Sequence, residues 1–200
     1  MLNKTELDQF LASLEKEADI IIEYYNNNFV KPNGLNLKYT KYALKNQSLS
    51  LFHAQSVGKV KLHHGGKPYC NKGVYMFVVK NPMQIDTFEF NDIYHAPYFK
   101  PEFSSLSKQD ILYIGTSSTI KKRLFNHCSL NNENAYIYSL RLGNPKRITS
   151  DDGKDVRNNL EIHSFQLKKS YCKYYKLICP FIEAFLHSKL NVASGNKSKI

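Results

Sequence analysis

The sequence predicts an α+β fold, and three observations carry that expectation. Gly73–Val79 and Asp110–Ile114 are short apolar and aromatic runs of the kind that form buried strands. Apolar residues recur at helical spacing near both ends of the chain. At 200 residues the chain fits one ordinary domain, or a small core with embellishments, and can bury an apolar core unaided.

The first helix is expected from Thr5 to about Asn27. Thr5 can cap it, and Asp8 stands where a capping box places an acid or amide. Leu7, Phe10, Leu11, Leu14, Ala18 and Ile21 or Ile22 supply the buried stripe. Asn26-Asn27-Asn28 and Lys31-Pro32-Asn33-Gly34 end it. Leu35 to Cys70 then mixes Lys, Tyr and His, which suits phosphate contact with stacking on bases, or simply an exposed Lys-rich surface.

After the strand at Gly73–Val79, the stretch Lys80–Gln109 reads as an excursion, partly strand-like at Ile85–Phe90. Asp110–Ile114 is the second strand, and Gly115-Thr116-Ser117-Ser118 a turn that caps a helix from Thr119 or Ile120 to about Cys128. Ala135–Leu142 is expected as a third strand and Gly143–Asn159 as an exposed excursion. Leu160–Ile178 suggests one or two more strands, and Pro180 opens a final helix buried through Ile182, Phe185, Leu186 and Leu190. The division that follows is 1–70, a helix with a basic extension, and 71–200, a core with insertions at about 80–109 and 143–178.

The formal net charge is +11. Such a field attracts polyanions, nucleic acid or an anionic membrane surface, unless it is only a solvated cationic surface. No apolar run is long enough to span a bilayer, and Met1–Phe10 lacks the plan of an export signal, so a cytoplasmic protein is expected. Cys70, Cys128, Cys172 and Cys179 show no CxxC pairing and read as reduced thiols; a zinc site from Cys172, Cys179 and a histidine matches no standard spacing.

Arg123 and His127 lie four apart on a predicted helix and so share a face, joining a fixed cation to a titratable imidazole. Glu183 falls in the first turn of the last helix, where an acid suits the dipole or holds a hard cation. Tyr75 and Tyr113 sit inside apolar strands, where a tyrosine is usually core.

Taken in order, Gly73-Val74-Tyr75, Tyr113-Ile114-Gly115, Arg123 with His127, Glu183 and Asn196 resemble the GIY-YIG nuclease superfamily over roughly Gly73–Asn196. The resemblance implies a small three-stranded antiparallel sheet flanked by helices, with the N-terminal helix and the insertions added to it. It implies a Mg2+-dependent deoxyribonuclease, with Mn2+ as a possible substitute and Glu183 as the metal ligand. Arg123 would neutralise phosphoryl charge, Tyr75 or His127 would carry the proton, Tyr113 would orient water or phosphate, and Asn196 would hold the geometry. Asn191 competes with Asn196 for the last role. The extra mass lies at the N-terminus and inside the core, a layout similar to the type II restriction endonucleases; the alternatives are a repair or mobile-element nuclease of the same superfamily, or a nucleic-acid-binding protein without catalysis. The restriction branch implies double-stranded DNA as partner, a homodimer on a palindromic site, no membrane, and a possible cognate DNA methyltransferase.

Overall fold

Strand pairing begins earlier than the apolar run at Gly73 suggests. In the computed structural model, which describes residues 4–27, 38–43, 69–85, 97–128, 140, 142 and 156–195, that run is the second half of a long strand. The described strands are β1 (Lys38–Ala43), β2 (Tyr69–Val79), β3 (Met83–Gln84), β4 (Tyr98–Phe99), β5 (Ser105–Leu106), β6 (Ile111–Ser117), β7 (Leu160–Lys168) and β8 (Val192–Gly195). The helices are α1 (Lys4–Asn26), α2 (Ile120–Cys128) and α3 (Tyr175–Lys189).

The class is α+β. Among the described residues, the main sheet has six strands in the order β1-β7-β2-β6-β8-β4, and β3 pairs with β5 in a separate ribbon. The central strands β7, β2 and β6 run antiparallel, whereas β8 joins β6 in parallel. A plain three-stranded sheet is therefore too small a description. The third central strand is β7 rather than Ala135–Leu142: Leu140 and Leu142 lie outside any strand, and 135–139 and 141 fall outside the described residues. Of the expected strand at Ile85–Phe90, Ile85 is irregular and the remainder is undescribed. The predicted excursion at Gly143–Asn159 is described only at its end, a 3-10 turn from Val156 to Asn159.

Alternation along β2 sorts two cores. Tyr75, Phe77 and Val79 face α2 with Ile120, Leu124 and Cys128, while Val74, Met76 and Val78 face α1 and α3 with Leu14, Ala18, Ile21, Ile178, Ile182 and Leu186. Thr5 lies inside α1 and does not cap it, because the helix already includes Lys4. The Tyr25 hydroxyl near its other end donates to the Gln109 carbonyl at 2.7 Å, tying α1 to the turn before β6.

Three further expectations are corrected. Gly115, Thr116 and Ser117 are strand, paired across to Tyr75, Val74 and Gly73, so the turn is delayed to Ser118-Thr119. The last helix starts at Tyr175, five residues before Pro180, and follows a 3-10 segment at Lys169–Tyr174 rather than a strand. Tyr175, Ile178, Cys179, Ile182 and Leu186 keep helical spacing through the proline, and their burial outweighs its missing N–H. Lys176, whose carbonyl that N–H would have met, and Pro180 are both exposed to water. Cys70 and Cys172 are joined in a disulfide and are not reduced thiols; their Cα atoms lie 6.4 Å apart across 102 residues of sequence. Cys172 is thereby withdrawn from any zinc site with Cys179. Among the described residues, no helix is long and apolar enough to cross a membrane.

Two stability effects follow. Cys172→Ser releases a very long loop and should lower unfolding free energy by about 2–4 kcal/mol, read from denaturant midpoints with and without reductant. Gly73→Ala drives a Cβ into the Phe165 carbonyl oxygen of β7. It should destabilise by at least about 1–3 kcal/mol in the same assay, because a backbone atom cannot step aside as a side chain can.

Candidate functional site

Tyr75 stands at the middle of β2, level with Gly115 of β6, and is fully buried. Its hydroxyl oxygen lies 2.8 Å from Nε2 of His127 and accepts Nε–H of Arg123 at 3.3 Å. Both partners come from α2, four residues apart, so one helix face delivers them together. The backbone N–H of Leu140 donates to Nδ1 of His127 at 2.9 Å. A backbone amide can only donate, so Nδ1 is the unprotonated nitrogen and the ring proton is on Nε2. The imidazole therefore donates to Tyr75, and both of its nitrogens are engaged.

The end of α2 is fastened by the same stretch of chain. Leu142 N–H donates to the His127 carbonyl at 2.7 Å, and Arg157 Nη1 donates to the Cys128 carbonyl at 3.2 Å. These bonds use carbonyls that a helix C-terminus otherwise leaves open. Leu140 and Leu142, read from sequence as strand, thus act as a clamp on the helix.

Aromatic rings enclose the imidazole. Tyr113, Phe77 and Tyr75 centroids lie 4.9, 5.3 and 5.5 Å from that of His127. Burial, reinforced by the Arg123 charge, holds His127 well below its usual 6.5, so it is neutral near pH 7. Burial pushes the Tyr75 phenol well above 10; Tyr113 adds to that rise, while Arg123 pulls the other way. Tyr113 is raised for the same first reason and is likewise drawn back by Arg123. Burial works against the Arg123 charge, but the two tyrosine oxygens more than offset it, and its hold on the proton is raised.

Gly115 explains how two tyrosines can crowd here. A Cβ on it would stand 2.7 Å from the Tyr113 ring and 2.8 Å from the Tyr75 oxygen. Its neighbour Thr116 points to the opposite face, and the Thr116 hydroxyl donates to Glu183 Oε2 at 2.9 Å. Burial raises the hold of Tyr175, at the start of α3, on its proton, and the Thr116 side chain lies close enough to pull the other way. The Glu183 carboxylate lies close enough to help raise the affinity of Tyr75, Tyr113 and Tyr175 for their protons. Burial, with Glu183 second, pushes the Cys179 thiol up to about 12.

The structure thus brings Tyr75, Tyr113, Arg123 and His127 together beside Gly115, with Glu183 held by Thr116 on the opposite face of the sheet and within electrostatic reach of both tyrosines. Glu183 sits in the middle of α3, not in its first turn, so the helix dipole does not account for it. Asn196 lies outside the described residues. Asn191 is exposed and precedes Val192, which is level with Ile111, at the end of β6 distant from Gly115. Sequence reasoning missed Thr116, Tyr175 and the Leu140 amide. Thr116 was legible only if β6 continued past Gly115.

Among the described residues, no group of three or more His, Cys, Asp or Glu side chains could hold a metal. Glu183 is a single carboxylate beside hydroxyl groups. That donor set fits Mg2+, which binds through one or two carboxylates while keeping waters and substrate phosphate oxygens, and does not fit zinc. Neither a protein-family model, nor a curated protein, nor a solved structure matches the chain.

The protonation state has a measurable consequence. The unfolded chain takes up a proton on His127 near 6.5, whereas the folded site resists it to lower pH. Stability is therefore full above that value and declines as pH falls below it. Thermal midpoints of the wild type should drop between pH 7 and 5 more steeply than those of His127→Gln, and parallel slopes would refute the assignment.

Proposed function

We propose that this chain is a divalent-metal-dependent endonuclease acting on double-stranded DNA, in the manner of a sequence-specific type II restriction enzyme of the GIY-YIG kind. The observation that carries the reading is the Tyr75 oxygen, which receives Arg123 Nε–H and faces His127 Nε2, with Tyr113 against the same glycine and Glu183 held by the next residue, Thr116, within electrostatic reach. A buried phenol, a half-buried guanidinium and one nearby carboxylate suit phosphodiester hydrolysis better than binding alone. The +11 charge supports a polyanionic substrate. In this reading the protein acts in the cytoplasm as a homodimer on a palindromic site, beside a methyltransferase that protects the host sequence.

Hydrolysis needs a water that loses a proton, a sink for charge on the phosphoryl oxygens, and help for the departing 3′ oxygen. Arg123 supplies the sink, since a guanidinium stays charged at any working pH. His127 has no lone pair left to take a proton, because the Leu140 amide occupies Nδ1. The proton acceptor is then Tyr75 as phenolate, a form reached only after the phenol has released its own proton to solvent. Burial keeps the phenol protonated at rest, and the N–H donors on its oxygen strengthen as negative charge develops there. His127 is a positioning residue that holds the Tyr75 oxygen, and Tyr113 orients water or phosphate against it. Glu183 would hold Mg2+, or Mn2+ in its place, which when bound would supply charge neutralisation for the phosphate and the leaving oxygen.

Purified protein with a long duplex and Mg2+ should give discrete fragments that vanish with EDTA and in Glu183→Ala. Tyr75→Phe should cut about 10²–10⁴-fold more slowly, and the wild-type rate should climb with pH above neutrality as the phenolate forms. A metal-dependent smear would keep the nuclease and remove the sequence specificity. Retarded but uncut DNA under several metals would replace the enzyme by a binding protein.

A further inference from the structure

From the 3-10 segment Lys169–Tyr174 into the first turn of α3, exposure sorts into three ridges of residues three apart. A 3-10 helix eclipses that spacing, and neighbours on one face of an α-helix also keep it. Cys172, Tyr175 and Ile178 form the inward one: Cys172 is bonded to Cys70, Tyr175 meets Thr116, and Ile178 is in the core. Tyr171, Tyr174 and Leu177 form an outward ridge at 45%, 47% and 52% exposure, large apolar groups left in water. Ser170, Lys173 and Lys176 form the other outward ridge, with exposed Lys169 at its start. Lys173 Nζ lies 4.8 Å over the Tyr174 ring, so cation and ring share one surface. Between Glu161 and Glu183 the chain carries no acidic residue. The disulfide fastens the inward ridge to β2, and Lys72 Nζ adds a bond to the Cys172 carbonyl at 3.3 Å.

We infer that Lys169–Leu177 is a DNA-contacting shelf that carries the strand flanking the scissile phosphate into the site. Only delivery to a scissile phosphate rests on the nuclease reading; the shelf itself does not. Lys169, Lys173 and Lys176 take phosphates, and Tyr171 and Tyr174 lie against sugar and base faces, a division of labour suited to a negative and partly aromatic polymer. The position favours this occupant. Tyr175, within the shelf, lies beside the threonine that holds Glu183, so a strand on the shelf is led toward that carboxylate. Because the shelf is clipped to β2, it need not be ordered on binding.

The test measures binding of a fluorescent duplex by full-length protein carrying Glu183→Ala, by anisotropy over a salt series. Lys169→Ala, Lys173→Ala and Lys176→Ala together should lower the slope of log Kd against log salt by about three, one for each phosphate that is no longer neutralised. Tyr171→Ala with Tyr174→Ala should weaken binding about tenfold or more with the slope kept. A control removing exposed Lys4, Lys16 and Lys108 loses the same charge elsewhere and should leave both readings near the parent's. Equal losses in control and shelf variants would overturn the shelf, leaving only a global field. So would tyrosine variants that turn a dimer into monomer while DNA affinity per protomer is unchanged, which makes the ridge a subunit contact. Shelf-dependent binding in a wild-type protein that never cuts would sink the nuclease and keep the shelf. Cutting that is indifferent to the shelf variants would do the reverse.

Discussion

One backbone amide sets the chemistry of this molecule. Leu140 N–H occupies Nδ1 of His127, which leaves the imidazole proton on Nε2 and aims it at the Tyr75 oxygen. The pairing holds only if α2 stays seated on β2, and the carbonyl bonds from Leu142 and Arg157 keep it seated. The rings of Tyr75, Phe77 and Tyr113 then exclude water, so the histidine stays neutral and acts as a donor. A histidine at that position with Nδ1 exposed to solvent would be a plausible base. This one is a fixed dipole.

The second half of the site is built on the opposite face of the sheet. Thr116 follows Gly115 in β6 and so points away from Tyr75, toward α3, where it holds Glu183. Gly115 carries no side chain to divide the two halves, and the Glu183 charge is felt at both tyrosines. The disulfide from Cys70 to Cys172 joins the strand that bears Tyr75 to the segment that leads into α3. Covalent bond, strand pairing and hydrogen bond all fix the distance between phenol and carboxylate, the quantity on which the proposed phosphate chemistry would depend.

What was legible in the sequence is what local spacing encodes. Arg123 and His127 are paired by helix periodicity alone, and Tyr75 and Tyr113 declare strands by their apolar neighbours. Glu183 was found by its order in the chain, but its helix was begun too late because Pro180 reads as a first-turn residue; the burial of Ile178 and Cys179 overrides that signal. Gly-Thr-Ser after Tyr113-Ile114 reads as a turn, and only the cross-strand partners in β2 show that it is strand. Long-range facts left no local trace. The Cys70–Cys172 bond, the parallel docking of β8 on β6 and the Leu140 amide on His127 each join residues that no window of sequence brings together.

The most direct test of the account is the ring nitrogen spectrum of His127, in protein labelled with 15N-histidine and compared with His127→Gln to assign the signals. The account predicts an unprotonated Nδ1 and a protonated Nε2 that hold those states from pH 8 down past 6. A protonated Nδ1, or a ring that titrates near its ordinary 6.5, would free His127 to carry a proton and take over the role proposed for Tyr75.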